Sequence, residues 1–266
     1  MVVERRGADD GVRDALEALR LQIDQRVRAE QLCDQLTRLP NEAALLAAIE
    51  NLNERDQPFW LAFIEVDRFK WINDSFGYQH ADVLLQRIAG ALVAAEHYFG
   101  QPATAFRPHG DEFYLLGAWA GDTDAPALET ALDLVRRNIG ALRIATDRGA
   151  VQCTVSIGWL DSASLTAALS ARGAVLTRRE IFGSLELAMA EAKWQKDCVI
   201  RYSKELQSDP PLSLRSECSS CRSKIQVSAK RSELGDVTAW SCPICRAAVL
   251  APPIPEIEPV PPPRTI

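Results

Sequence analysis

The 266-residue chain has no apolar run long enough to cross a bilayer: its longest, near Ala43–Ile49, falls far short of the roughly 20 residues a membrane helix needs. Its opening residues, Met-Val-Val-Glu-Arg-Arg-Gly, are not followed by the apolar segment of a secretory signal, so cytoplasmic residence is expected. Positive charge is not in surplus either. A net charge of −6 argues against broad electrostatic binding to nucleic acid. Histidine is scarce, with three in the chain, and His80 and His97 sit in a helical stretch without metal-ligand company, so both are read as structural. No internal repeat is visible.

What is present suits one core of ordinary domain size with a small appendage, since 47% of the residues are hydrophobic. The seven cysteines divide unevenly. Cys33, Cys153 and Cys198 are isolated and read as small buried hydrophobes. Cys218, Cys221, Cys242 and Cys245 form C-x2-C-x20-C-x2-C, the spacing of a structural zinc ribbon. Disulfides are the alternative, but a cytosolic chain keeps such thiols reduced. Between residues 217 and 250 five Lys or Arg oppose three acids, too small an excess to favour nucleic acid over a protein partner.

Five segments follow from patterning. Residues 1–33 hold a helical stretch, with Val12, Leu16, Leu19, Ile23 and Val27 at helical spacing but without a strict coiled-coil seam. Residues 34–202 form the main domain. Within it Asn41 is placed to cap a helix from Glu42 to about Leu52, and the apolar Phe59–Glu65 reads as a central strand. Helices are predicted near Arg68–Phe76, Tyr78–Tyr98, Ala125–Leu142 and Ile181–Gln195. Strands are predicted at Thr104–Arg107, Glu112–Trp119, Val151–Gly158 and Val199–Tyr202. The order β-α-α-β-β-α-β predicts an α/β sandwich of ferredoxin-like, palm type with a mainly antiparallel central sheet. Residues 203–216 read as a linker, 217–250 as the ribbon, and 251–266, holding seven of fifteen prolines, as an extended tail.

Topology gathers acids at one place. A right-handed crossover makes the Phe59–Glu65 strand parallel to the first hairpin strand, so the His109-Gly110 turn lies at the Glu65 end of the sheet. Glu65 then lies near Asp111 and Glu112. Three carboxylates repel unless a cation sits among them, and oxygen ligands beside a phosphate favour Mg²⁺ or Mn²⁺.

Residues 34–41, Asp-Gln-Leu-Thr-Arg-Leu-Pro-Asn, the run Glu65-Val-Asp-Arg-Phe-Lys-Trp-Ile-Asn-Asp74, the turn Arg107-Pro-His-Gly-Asp-Glu-Phe113 and the strand Ser156-Ile-Gly158 occur in order. Together they resemble the GGDEF family over about Cys33–Tyr202, a family whose members condense two GTP into cyclic di-GMP. The resemblance implies metal ligation by Glu65, the Val66 carbonyl and Asp111, and catalytic roles for Asp111 and Glu112. It implies a guanine clamp of Asn73 and Asp82, phosphate contacts from Lys70 and Lys193, and His109 and Gly110 at the substrate. It also implies a homodimer, one GTP per chain. Asp67 is expected to cap the helix that follows it.

Several positions depart from the family pattern. Glu65 replaces an Asp, and His109 replaces the first Gly of the signature, with some strain expected if that position needs a positive φ. Asp197 stands in place of a phosphate-binding Arg, with Lys196 beside it in partial compensation. The inhibitory R-x-x-D motif, due at Gly100–Ala103, is absent. Two readings follow: a diguanylate cyclase, or a catalytically degenerate GTP-binding regulator that engages a protein partner through its zinc ribbon or proline-rich tail.

Overall fold

Eight consecutive residues, Phe59–Val66, form strand β1 at the centre of a five-stranded sheet, and seven of them are buried. In the computed structural model the described residues are 31–121, 125–147 and 149–208, with shorter stretches at 211–217, 220–222, 224–230, 240–241 and 248–249. The helix expected at the amino terminus lies almost wholly outside the described residues, and the proline-rich tail lies outside them. Helix α1 (Glu42–Glu54) precedes β1 and starts where expected, with the Asn41 side chain accepting from the Ala44 amide at 3.3 Å. After β1 come α2 (Phe69–Phe76), α3 (Tyr78–Ala95) and a 3-10 turn at Glu96–Phe99. The hairpin of β2 (Ala103–Phe106) and β3 (Glu112–Ala118) follows, then α4 (Ala125–Gly140).

The strand predicted at Val151–Gly158 divides. A small hairpin pairs β4 (Ile144–Thr146) with β5 (Gly149–Val151), and the sheet strand proper is β6 (Val155–Asp161). An unpredicted helix, α5 (Ser162–Ser170), starts with the Asp161 carboxylate accepting from the Ser164 amide at 2.7 Å. Helix α6 (Arg178–Gln195) then leads to β7 (Val199–Arg201).

The sheet order is β2-β3-β1-β6-β7. Three neighbouring pairs are antiparallel, but β6 and β7 are parallel, so the sheet is mixed rather than mainly antiparallel as the sequence suggested. The cause is the helical crossover through α5 and α6, which returns the chain in the direction it left.

Strand alternation sorts the core into two layers. Trp60, Ala62 and Ile64 of β1 pack with Leu84, Ile88 and Leu92 of α3 and Leu132 and Val135 of α4. Phe59, Leu61 and Phe63 face Leu45 and Ile49 of α1 and Ile181, Leu185 and Met189 of α6. Glu65 continues the second series, so its side chain emerges on the α6 side. Gly158 permits the close approach of that helix, because a Cβ there would meet the Met189 amide nitrogen at 2.5 Å.

Beyond the sheet, the segment expected as a linker contains a short helix, Glu205–Ser208, and the first part of strand β8 (Pro211–Glu217). Strand β8 pairs antiparallel with β9 (Lys224–Lys230), and β10 (Trp240–Ser241) pairs with β11 (Ala248–Val249). Among the described residues no helix is long and apolar enough to cross a membrane.

Candidate functional site

The register of β1 against β3 sets Glu65 directly opposite Glu112, on the sheet face covered by α6. Lys193, in the last turn of α6, projects to the same spot and its ammonium pairs with the Glu65 carboxylate. Asp111 sits just before β3, where its carbonyl accepts from the Val66 amide at 3.3 Å. These residues border a cavity of about 450 Å³ whose lining includes Glu65, Val66, Lys70, Asn73, Asp111 and Lys193. The structure therefore brings six of the sequence-selected residues together, with Glu112 beside them through its strand partner. Asp82, His109 and Gly110 do not line the cavity: Asp82 is exposed near the start of α3, and the other two form the rim of the hairpin.

Burial sets the electrostatics of the acids. It pushes the Glu65 carboxyl above the ordinary carboxylate range, against the opposing pull of Lys193. Asp111 is raised by burial as well. Glu112 is raised first by burial; His109 offsets part of this, while Glu65 and Asp111 add to it. The His109 imidazole lies 3.7 Å from the Glu112 carboxylate. The left-handed residue of this turn is Gly110, at φ 56°, so His109 carries no positive-φ strain.

Two supporting arrangements escaped sequence reasoning. Arg107 is buried, donates to Asp34 at 2.7 Å, and grips the Gly110 carbonyl from both Nε and an NH2 group, at 3.2 and 2.6 Å. The Asp-Gln-Leu-Thr segment and the signature turn are thereby one unit. Asp67, expected as a helix cap, instead accepts from the Thr154 and Ser156 hydroxyls at 2.6 and 2.8 Å and from the Asp197 amide at 3.2 Å. Helix α2 begins at left-handed Arg68 with no side-chain cap, because the Asp67 carboxylate is turned toward β6. A polar Ser156 between the apolar Val155 and Ile157 was the available signal for such a buried partner. Tyr78, Asp74 and Lys196 also line the cavity.

The donor set around Glu65 and Asp111 is hard oxygen, two carboxylates with the nearby Val66 carbonyl. That suits Mg²⁺ or Mn²⁺, which fill their remaining positions with water and substrate phosphate. Among the described residues no three His, Cys, Asp or Glu side chains converge as a complete ligand set. For zinc, Cys218, Cys242 and Cys245 lie outside the described residues, and Cys221 lies in a turn between β8 and β9.

A family model for the diguanylate cyclase GGDEF domain matches residues 31–168, just over half of the chain. Cyclic di-GMP phosphodiesterase PdeR of Escherichia coli (strain K12) is 30% identical over 140 residues, 50% of this chain and 20% of that protein. Diguanylate cyclase A of Treponema denticola is 26% identical over 113 residues, 42% of this chain and 29% of that protein. The match thus spans less than a third of either relative. The coiled coil and GGDEF domain of DgcB from Caulobacter crescentus, in complex with c-di-GMP, shares the fold: TM-score 0.59 and 20% identity over 76% of this chain and 100% of that one.

Proposed function

The chain belongs to the GGDEF family, and we propose that it is a cytoplasmic diguanylate cyclase, condensing two GTP into cyclic di-GMP and two pyrophosphates. The observation that carries this reading is the cavity in which the Glu65 and Asp111 carboxylates meet Lys70, Asn73 and Lys193. In each half-reaction the 3′-oxygen of one GTP bonds to the α-phosphorus of the other, the α–β phosphoanhydride breaks, and the hydroxyl proton passes to a base.

A Mg²⁺ or Mn²⁺ ion at Glu65, Asp111 and the Val66 carbonyl would supply charge neutralisation for the triphosphate. Glu112, raised by burial, takes the 3′-hydroxyl proton. Lys70 and Lys193 bind phosphate, Lys193 leaving Glu65 as it does so. Asn73 bonds the guanine edge, and Asp82 accepts from N1–H and the exocyclic amine of a base lying across α2 and α3. His109 and the Gly110 amide contact the substrate from the hairpin rim. Two chains, each with one GTP, face one another across a two-fold axis. Incubation of the full chain with GTP and Mg²⁺ or Mn²⁺, with identification of the products, tests the reading.

The carboxy-terminal cysteines are assigned to one structural Zn²⁺. Cys218 and Cys221 fall between β8 and β9, and Cys242 and Cys245 between β10 and β11. In sequence, each C-x2-C pair thus lies between two strands that pair with each other, a spacing that suits a zinc knuckle. This ribbon, with the proline-rich tail, is the element offered to a protein partner.

A second reading, a GTP-binding regulator without turnover, is favoured by one observation. The Lys193–Glu65 ion pair already neutralises one of the two carboxylates that a metal would need.

A further inference from the structure

Two large aromatic rings stand in solvent at the corner where α2 and α3 meet. Trp71 is 57% exposed and Tyr78 is 75% exposed. Trp71 leans edge-on against Phe76 with ring centroids 5.7 Å apart, and Tyr78 follows Phe76 across the Gly77 turn. The Trp71 amide donates to the Arg68 carbonyl at 2.9 Å, which puts Arg68 beside it on the helix surface. Arg68 and Lys70 are exposed, and among the described residues neither forms an ion pair. Arg68, Lys70, Asp74 and Tyr78 all border the cavity, so a chain lying over this corner also covers the cavity mouth.

Exposed rings flanked by unpaired cations suit an extended segment that is both proline-rich and acidic. The rings receive proline faces and the cations receive carboxylates. This chain carries such a segment. Residues 251–266 hold seven prolines, with Glu256 and Glu258 before the run Pro261-Pro262-Pro263 and Arg264 after it. Consecutive prolines favour the polyproline II conformation, which docks on aromatic surfaces at a low ordering cost. The charges are complementary in order: the two glutamates for Arg68 and Lys70, the proline run for the two rings, and Arg264 for Asp74. Reach is sufficient. Strand β11 ends at Val249, and the residues beyond it span about 50 Å as polyproline II, against about 40 Å across a domain the size of residues 34–202.

We propose that residues 251–266 dock on the Trp71–Tyr78 corner of their own chain and partly close the cavity, so that a partner which takes this tail opens the site. The effect on nucleotide rests on the reading of the cavity as a GTP site; the docking does not.

The test compares the full chain with one shortened after Leu250, by calorimetry. A synthetic peptide of residues 251–266 should bind the shortened chain, and bind the full chain about tenfold more weakly because the face is already occupied. Replacing Pro261, Pro262 and Pro263 of the peptide by alanine should weaken binding by about tenfold, with the protein itself unaltered. Trp71→Ala in the shortened chain should do the same; Trp71 does not border the cavity, so this variant reads docking rather than nucleotide contact. GTP at fixed Mg²⁺ should bind the shortened chain about tenfold more tightly than the full chain, and added peptide should reverse that gain. Absence of peptide binding, or equal peptide affinity in the full and shortened chains, would overturn the docking. A full chain whose dimerisation is lost on shortening would overturn it too, assigning the face to the tail of a second copy. GTP bound equally by both chains would overturn the closure. Peptide binding as expected, with GTP bound by neither chain, would uphold the docking and remove the GTP reading.

Discussion

Asp34 and Arg107, far apart in sequence, form a 2.7 Å ion pair that joins the turn opening the domain to the signature hairpin. Burial acts to raise the Asp34 carboxyl, but hydrogen bonds from Thr37 and Arg107 outweigh it and hold the group below the ordinary carboxylate range. Its stabilising contribution is therefore present above the unfolded-state value and is lost as pH falls through the lowered folded value. Asp34→Asn leaves the buried Arg107 guanidinium without its countercharge and should cost about 2–3 kcal/mol. Urea unfolding at pH 7 and at low pH checks this: the difference between variant and wild type should shrink in acid. An unchanged gap would mean that the pair contributes through packing rather than charge.

The acids of the site behave in the opposite sense. Glu65, Asp111 and Glu112 are all raised by burial, so the folded chain holds protons that the unfolded chain has already released. Stability from this cluster falls as pH rises from the ordinary carboxylate range through the raised values. Glu112→Gln removes one of the crowded charges. It should abolish turnover while stabilising the nucleotide-free chain by about 0.5–1 kcal/mol near neutral pH. Product formation and denaturant midpoints measured on the same preparation check both halves. Wild-type turnover in this variant would remove Glu112 from the reaction.

Gly158 controls the position of α6 and so of both lysines near the acids. A Cβ there would come within 2.5 Å of the Met189 nitrogen and 2.9 Å of the Ala188 carbonyl carbon, atoms of backbone that cannot swing aside. Gly158→Ala should destabilise the domain by about 1–3 kcal/mol and weaken GTP binding as α6 is pushed off the sheet. Chemical denaturation and GTP titration are the measurements, and loss of stability with undiminished GTP affinity would uncouple the helix from the site.

Much of this was legible in the residues. Phe59–Val66 announced a buried strand by its unbroken apolar run, and the crossover argument correctly brought Glu65 to the signature turn. The mixed sheet was harder to read, because the parallel partner β7 is three residues long, and the α5 helix was hidden in a weakly patterned Ser-Ala stretch. Contacts between distant segments left no spacing signal at all. Arg107 finds Asp34 across 73 positions, and Asp67 finds Ser156 across 89, so chain folding alone reveals that Asp67 braces β6 instead of capping α2.

If the four carboxy-terminal cysteines form the proposed zinc ribbon, the metal content is one Zn²⁺ per chain. A segment of this size has too little apolar core to fold alone, so zinc should provide most of its folding free energy. Trp240, next to the second cysteine pair, should report its loss by fluorescence on chelation, while the GGDEF domain keeps its own unfolding transition. Cys242→Ser with undiminished zinc would disprove the ligand set, and a single cooperative transition on chelation would disprove the independence of the ribbon.

The central claim is that the Glu65–Asp111–Glu112 corner performs nucleotidyl transfer. Its most direct measurement is product analysis of the purified full chain with GTP and Mg²⁺ or Mn²⁺, quantifying cyclic di-GMP and pyrophosphate together. The account predicts both products at one cyclic di-GMP to two pyrophosphates, since each of the two bonds formed expels one pyrophosphate. GTP bound but returned unchanged, at protein concentrations where the chain is dimeric, would contradict it and identify the site as a nucleotide-sensing one.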